Sequence, residues 1–282
     1  MRPRIDILVD LALDEDAAYG DLTSQAIFTP DHVSRAHIEA REDLVVCGLE
    51  IADHVFHRVD PSLIVEMAAT DGQRVGKGKT VMTATGTTVS LLMAERTALN
   101  FLQRLSGIAT LSRQFADAAE KAGTGLRIVD TRKTTPAHRA LEKYAVRCGG
   151  CFNHRSSLGE HVLIKDNHIA ASGSLTGAIR KARAAAPHCA KIEVEVTTLS
   201  EIGEAMTAGA EIIMLDNMSP DQVREAVSLI GGKAIVEISG GVGLESVADY
   251  ALPGVDVISV GALTHSARAV DLSMAISCET SH

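Results

Sequence analysis

The residues best equipped for chemistry in this 282-residue chain are charges set where a buried strand should carry none. In Ile192-Glu193-Val194-Glu195-Val196, strand alternation puts both carboxylates on one face and the three aliphatics on the other. The same parity aligns Ile212, Met214 and Asp216, then Ile235, Glu237 and Ser239, and places Asp130 with Arg132. In each run the last polar residue falls at the C-terminal end, where parallel barrels keep their active sites. A single buried ion pair would be unremarkable. Several strands each ending in a charge or hydroxyl carry a desolvation cost that points to a functional site.

Between Arg132 and His168, seven Lys/Arg (Arg132, Lys133, Arg139, Lys143, Arg147, Arg155 and Lys165) stand against three acids, although the whole chain carries −9. Arginine forks grip carboxylate and phosphate oxygens in pairs and lysines add point charge, so the expected guest is a small polyanion. Two glycine-bearing turns follow, Ser239-Gly240-Gly241-Val242-Gly243 and Gly261-Ala262-Leu263. Backbone N–H groups at such turns form anion nests, and the last two loops of a barrel are the usual phosphate seat. Cys148-Gly149-Gly150-Cys151, with His154 nearby, has the spacing of a zinc or redox pair but no second pair to complete it. Lys165 leaves another chemistry open, that of a Schiff-base amine inside a barrel.

Elements to position these groups can be read from periodicity. Arg127–Asp130, Val162–Lys165, Lys191–Val196, Glu211–Leu215, Ala234–Ile238 and Val255–Val260 are short β-branched runs, each followed by an Ala-rich helical stretch. Six successive βα units argue for a parallel α/β barrel. Before them, Leu92, Leu99, Leu102, Leu105, Ile108 and Leu111 recur at helical steps over 91–122, a long helix linking this part to the first third. That first third opens on a helical pattern through Ile5, Leu8, Val9, Leu11 and Ala12 and continues as strands joined by glycine turns (37–40, 43–47, 62–69 and 80–89). It resembles half of a lipoyl-type sandwich, but Lys77 and Lys79 lack the hairpin-tip setting of a carrier lysine.

Composition narrows the partners. With 46% hydrophobic residues the chain can bury real cores, and with 27 Lys+Arg against 36 Asp+Glu it lacks the broad basic field of a nucleic-acid or membrane-surface binder. No Trp and 3% aromatics leave few platforms for base stacking. No apolar run nears the roughly 20 residues of a membrane span, and the start of the chain lacks an apolar signal core, so a cytoplasmic location is expected. The five scattered cysteines do not form a disulfide framework; Cys47, Cys189 and Cys278 read as packing or surface residues.

Several stretches together resemble the quinolinate phosphoribosyltransferase family: Asp130-Thr131-Arg132-Lys133-Thr134-Thr135-Pro136, Leu141-Glu142-Lys143-Tyr144-Ala145-Val146-Arg147-Cys148-Gly149-Gly150, Asn153-His154-Arg155, Leu163-Ile164-Lys165-Asp166-Asn167-His168, Leu215-Asp216-Asn217 and Ser239-Gly240-Gly241. Gly20–Ser24 and Ala94–Asn100 extend the likeness over nearly the whole chain. The resemblance implies a type II phosphoribosyltransferase with an N-terminal α/β sandwich (1–108) and a C-terminal, incompletely closed α/β barrel (109–282). It implies transfer from phosphoribosyl pyrophosphate to quinolinate with loss of carbon dioxide, giving nicotinate mononucleotide for NAD synthesis. It also implies a homodimer with shared active sites, with dimer versus hexamer left open, and Mg2+ as cofactor.

Residue by residue, the family motif puts Arg132, His154 and Arg155, with Arg96 from the partner subunit, on the quinolinate carboxylates. It counts Thr131 among the substrate-binding residues, puts Lys133 and Lys165 toward the phosphate-rich co-substrate, and Glu195 and Asp216 near the ribose and Mg2+. Ser239, Gly240 and Gly241, with Gly261, Ala262 and Leu263, would seat the 5′-phosphate; Lys133, Lys165, Glu195 and Asp216 would be catalytic. The chain departs from the pattern at Ala137-His138, Cys151-Phe152 and Ser156-Ser157, which puts the shape of the loop around His154 in question while leaving the charged positions intact.

Overall fold

The computed structural model describes residues 2–123 and 125–278. Down the chain run α1 (Arg2–Ala17), α2 (Leu22–Ile27), β1 (Val33–Ala40), β2 (Leu44–Val45), α3 (Leu49–Val59), β3 (Ile64–Met67), β4 (Arg74–Val75), β5 (Thr80–Thr87) and α4 (Thr88–Ala122). Then come β6 (Arg127–Val129), α5 (Arg139–Cys148), β7 (Val162–Ile164), α6 (Asp166–Ser172), α7 (Leu175–Ala185), β8 (Ile192–Val196), α8 (Leu199–Ala208), β9 (Ile212–Asp216), α9 (Pro220–Ile230), β10 (Ile235–Ser239), α10 (Val247–Tyr250), β11 (Val257–Ser259), α11 (Ala262–His265) and β12 (Leu272–Cys278). The six strands expected from the βα repeat all form, within a residue or two of their expected ends.

The described residues divide into two compact units. The first comprises residues 2–111, Pro136–Gly150 and 267–278; the second comprises Ser112–Thr135 and Cys151–Ser266. The single boundary expected at residue 108 falls inside α4, and α5 and β12 both pack with the first unit although they follow it in sequence. Cys278, expected to pack or lie at the surface, ends β12 with its side chain outside the described residues.

In the first unit an antiparallel sheet runs β12-β1-β5-β3, beside a two-stranded ladder of β2 and β4. Alternate residues of β1 (Ser34, Ala36, Ile38, Ala40) are buried, as period two requires of a sheet with one covered face. Ile38 and Met82 from this sheet are fully buried, as are Val55 and Phe56 of α3 and Leu91, Leu99, Leu102 and Leu105 of α4. Gly107 is the close-approach point of that helix: a Cβ placed there would meet the carbonyl oxygen of Arg268 at 2.0 Å.

The second unit is the barrel-like one. Its six strands are all parallel in the order β6-β11-β10-β9-β8-β7, with helices on the crossovers, and β7 and β6 do not pair with each other. The sheet is therefore curled but open, and Phe152 adds one parallel bridge to Val129 at the β6 edge. Crossover helices start where their caps dictate. Thr198 with Glu201 and Ser219 with Gln222 form reciprocal capping boxes on α8 and α9, each satisfying otherwise orphaned N–H groups.

Gly107→Ala sets a helix-propensity gain of about 1 kcal/mol against a clash with a backbone carbonyl that cannot swing aside. The clash should win, lowering stability by about 1–3 kcal/mol, read as a fall in the urea midpoint at unchanged slope.

Candidate active site

A parallel sheet carries all its strand C-termini to one edge, so residues from distant parts of the sequence meet there by register alone. Leu163 pairs Glu193, Glu193 pairs Ile212, Glu195 and Glu237 both pair Met214, and Ser239 pairs Asp216. Glu193, Glu195, Asp216, Glu237 and Ser239 thus share one face, as their spacing predicts. Lys165, one residue past β7, ion-pairs with Glu195. Its backbone N–H donates to His168 Nδ1 at 2.9 Å, closing a cap at the start of α6.

The β6 end is built on Asp130, which is fully buried. Its carboxylate accepts from Asn153 Nδ2 at 2.6 Å and from the His154 backbone N–H at 2.9 Å, so it ties the chain after Cys151 to the strand end. Half-buried Thr131 and Arg132 and exposed Lys133 follow it. The Thr131 hydroxyl accepts the Lys133 N–H at 3.0 Å, and the Lys133 carbonyl accepts from Thr264 at 2.8 Å. A Cβ at Gly261 would come within 3.1 Å of Lys133 Cδ, so this glycine lets the lysine stem lie against the start of α11, with Ala262 and Leu263 behind it.

At the β9 and β10 ends the backbone is bent to order. Asn217 (φ 56) and Gly240 (φ 91) both occupy the left-handed region, and a Cβ at Gly240 would strike Asn217 Oδ1 at 2.3 Å. The Asn217 N–H donates to the Ser239 carbonyl at 3.0 Å and its side-chain amide to Asp216 at 2.7 Å. Only glycine fits at 240, and Gly241 (φ 64) continues the nest-like turn.

Beneath these ends lies a group of four that the sequence reading resolved only in part. His154 Nε2 stands 3.5 Å from Glu193 Oε2 and 3.5 Å from Glu237 Oε1, and His161 Nε2 is 2.5 Å from the same Glu193 oxygen. Both carboxylates are buried. Burial alone would depress the His154 imidazolium, but the two carboxylates outweigh it and push it up to about 9. Burial opposes ionisation of Glu193 too, yet the two imidazoles bring its carboxyl down to about 2. Glu237 moves the other way: desolvation raises it despite His154. Arg155 is also buried and donates from Nη1 to the His161 carbonyl at 3.1 Å. His161 had no place in the sequence reading. It precedes a three-residue strand in an irregular stretch, where periodicity gives no signal.

The expected residues are thus gathered, with exceptions. Thr131, Arg132, Lys133, His154, Arg155, Lys165, Glu195, Asp216, Ser239, Gly240, Gly241, Gly261, Ala262 and Leu263 all belong to the second unit. Arg96 belongs to the first, exposed on α4, where it lines a cavity of about 350 Å³ with Leu8, Leu11, Asn100, Phe101 and His138. The basic stretch also divides: Arg139, Lys143 and Arg147 lie on α5 in the first unit, and only Arg132, Lys133, Arg155 and Lys165 in the second. The Cys148/Cys151 pair divides likewise. Cys148 approaches Cys47 and Asp71, whereas buried Cys151 donates to the Ser112 carbonyl at 3.1 Å, its thiol pushed up to about 12 by burial.

An open parallel α/β barrel with basic and acidic groups at its strand ends and glycine turns after its last strands is the frame of an enzyme for small anionic substrates. Comparison makes this specific. The chain matches the model of the quinolinate phosphoribosyl transferase N-terminal domain over residues 21–106 and that of the C-terminal domain over 108–275, and it belongs to this family. It is 44% identical over 260 residues to a probable nicotinate-nucleotide pyrophosphorylase (carboxylating) of Bacillus subtilis, covering 92% of this chain and 89% of that one. It is 41% identical to quinolinate phosphoribosyltransferase (decarboxylating) 1b of Nicotiana tabacum, over 96% of this chain and 82% of the relative. The crystal structure of NadC from Streptococcus pyogenes superposes with a TM-score of 0.93 at 40% identity, covering 98% of each chain.

Because the His154 imidazolium is held above its unfolded value, its stabilising contribution is complete below about pH 6.5. It should fade as pH rises to about 9, the folded value. The unfolding free energy of the wild type, read from urea melts, should therefore fall between these limits by an amount on the order of 2 kcal/mol, and that of His154→Gln should stay flat. Equal slopes in the two proteins would contradict the assignment.

Proposed function

We propose that this chain transfers the phosphoribosyl group of phosphoribosyl pyrophosphate to quinolinate, releasing pyrophosphate and carbon dioxide and leaving nicotinate mononucleotide for NAD synthesis. The observation that carries the reading is the juxtaposition, at one edge of a parallel sheet, of the Lys165–Glu195 ion pair, the adjacent His154 and Arg155, and Lys133 against Gly261. Relatives named for this reaction along nearly the whole chain support it.

In this reading Arg132, His154 and Arg155 receive the two carboxylates of quinolinate. His154 is suited to this as an imidazolium kept charged by Glu193 and Glu237. The pyridine nitrogen attacks the anomeric carbon as its bond to pyrophosphate breaks. Cationic character grows on the ribose, which the carboxylates of Glu195 and Asp216 stabilise, while Lys133 and Lys165 neutralise the departing pyrophosphate. The carboxylate next to the ring nitrogen then leaves as carbon dioxide, its electron pair held beside the new pyridinium until a proton arrives. Ser239, Gly240 and Gly241, with the turn at Gly261 to Leu263, seat the 5′-phosphate on backbone N–H groups. Holding two anions together against their repulsion is most of the work.

Mg2+ suits the residues present. It is a hard cation that takes one or two carboxylates together with substrate phosphates. Glu195 and Asp216 are two carboxylates on the neighbouring, directly paired strands β8 and β9. They would hold the ion, and when bound it would offset the charge of the pyrophosphate group. A Schiff-base role for Lys165 fits less well, because such an amine must be desolvated. Here its side chain is 45% exposed and paired with Glu195.

The active unit in this reading is a homodimer in which Arg96 of one subunit completes the site of the other, with a hexamer as a further assembly and the cytoplasm as its location. No described helix is long and apolar enough to cross a membrane.

Product should form only when quinolinate and phosphoribosyl pyrophosphate are both present, with labelled carbon dioxide released in step. Lys133→Ala and Arg155→Ala should each lower kcat/KM by about 100-fold or more while circular dichroism stays native; near-normal turnover in either would remove that residue from the mechanism. For the shared site, an Arg96→Ala subunit mixed with an inactive Lys133→Ala subunit should regain activity. Confirmed mixed dimers without recovery would mean that each subunit works alone.

A further inference from the structure

His161 introduces a second imidazole beside His154 and two buried carboxylates, and the spacing of the four is not that of a well-made hydrogen-bond network. His154 Nε2 is 3.5 Å from an oxygen of each glutamate, longer than the usual 2.7–3.2 Å span of such bonds. Glu193 Oε1 and Glu237 Oε1 are both buried and lack hydrogen-bond partners, and the latter is the oxygen that faces His154. Buried carboxylate oxygens left this way need an explanation, an ion being one of the few available. Ligand atoms about 2.1 Å from a tetrahedral cation stand about 3.4 Å apart, which is the separation His154 keeps from both glutamates. The ligating atoms of His154, His161 and Glu193 lie within 4.8 Å of one another.

We propose that His154, His161, Glu193 and Glu237 form a binding site for one late first-row divalent cation of the zinc class. It differs in chemistry from the Mg2+ position at Glu195 and Asp216. Two imidazole nitrogens with carboxylate oxygens favour zinc, cobalt or nickel, whereas magnesium avoids nitrogen and keeps its water. To admit the ion, His161 must open from 2.5 Å on the Glu193 oxygen, and Glu237, which stands 3.5 Å from His154 but outside the close group of His154, His161 and Glu193, must close in as the fourth ligand. The binding itself is independent of the proposed reaction. Its consequence rests on that reading: since His154 receives a substrate carboxylate there, an occupied site excludes the dicarboxylate.

The test uses the intact protein stripped by chelator and titrated with Co2+ alone, followed by its visible absorption, with Zn2+ displacing it. One equivalent should bind. His161→Ala should weaken Co2+ binding by about tenfold or more, with fold checked by circular dichroism, whereas Glu195→Gln with Asp216→Asn should leave it intact. Glu237→Gln carries the same comparison and expectation if His161→Ala does not fold. Phthalate, a dicarboxylate without the ring nitrogen, should compete with Co2+. The site is overturned if no stoichiometric Co2+ signal appears, if the His161 and Glu237 variants bind as tightly as the wild type, or if the Glu195/Asp216 variant loses the signal. Failure of phthalate to compete overturns the exclusion of substrate. A protein that passes the Co2+ test but makes no nicotinate mononucleotide would keep the site and lose the reaction.

Discussion

The second unit is organised around the need to bury Glu193 and Glu237 in one face of a parallel sheet. Two carboxylates in a low-dielectric interior repel each other and lose their hydration, at a cost of several kcal/mol per ion unless they are paired. The imidazoles supply part of that pairing, His154 toward both carboxylates and His161 toward Glu193, which fixes the position of His154. Buried Asp130 in turn holds the Asn153–His154 segment to the end of β6 through two hydrogen bonds, and the Phe152 bridge to Val129 carries that segment along the open edge of the sheet. One electrostatic requirement thus sets where an otherwise irregular stretch of chain runs. It also keeps the His154 imidazole protonated through neutral pH, which suits it to the anionic substrate of the proposed reaction.

This arrangement reconciles an acidic chain with anionic guests. The net charge of −9 excludes a general basic surface, and the second unit gathers only a few cations at its strand ends. Two of them are anchored through their charged ends, Lys165 on Glu195 and Arg155 on the His161 carbonyl, while Lys133 is held by its backbone carbonyl on Thr264 and by its stem against Gly261. A fixed cation that has lost little entropy on binding contributes more than several mobile ones. The remaining basic residues of the 132–168 stretch sit on α5 in the first unit, so a count along the sequence overstated the charge gathered at the sheet edge.

Much of this was legible in the sequence because the relevant signal is local. Alternation in Ile192–Val196 and Ile235–Ser239 revealed the inward carboxylates, and βα periodicity revealed six strands in order. What escaped depends on contacts between distant segments. β12 pairs with β1 across more than 200 residues, and nothing within Leu272–Cys278 names its partner. The grouping of α5 with the first unit, the division of Cys148 from Cys151 and the role of His161 are all of this kind. Each is decided by what packs beside the residue, which composition and period do not encode. His161 is the most instructive case, since a lone histidine ahead of a short strand is ordinarily a surface residue, and here it touches the fully buried carboxylate of Glu193.

The turns at the β9 and β10 ends show how one local strain can serve two sites. Asn217 accepts a left-handed backbone that asparagine tolerates better than most residues, and it is held there by the Ser239 carbonyl and the Asp216 carboxylate. Gly240 must then be glycine, because any side chain would collide with Asn217. The carboxylate proposed for Mg2+ and the loop proposed for the 5′-phosphate are therefore not independent parts. A shift of Asn217 would move Asp216 and release the turn at Gly240 together, so in the proposed reading one contact between neighbouring strand ends would set the geometry of both metal and phosphate. A mechanism that must place the pyrophosphate and the 5′-phosphate at fixed distances from the same ribose gains from that coupling, since errors at the two ends cannot accumulate separately.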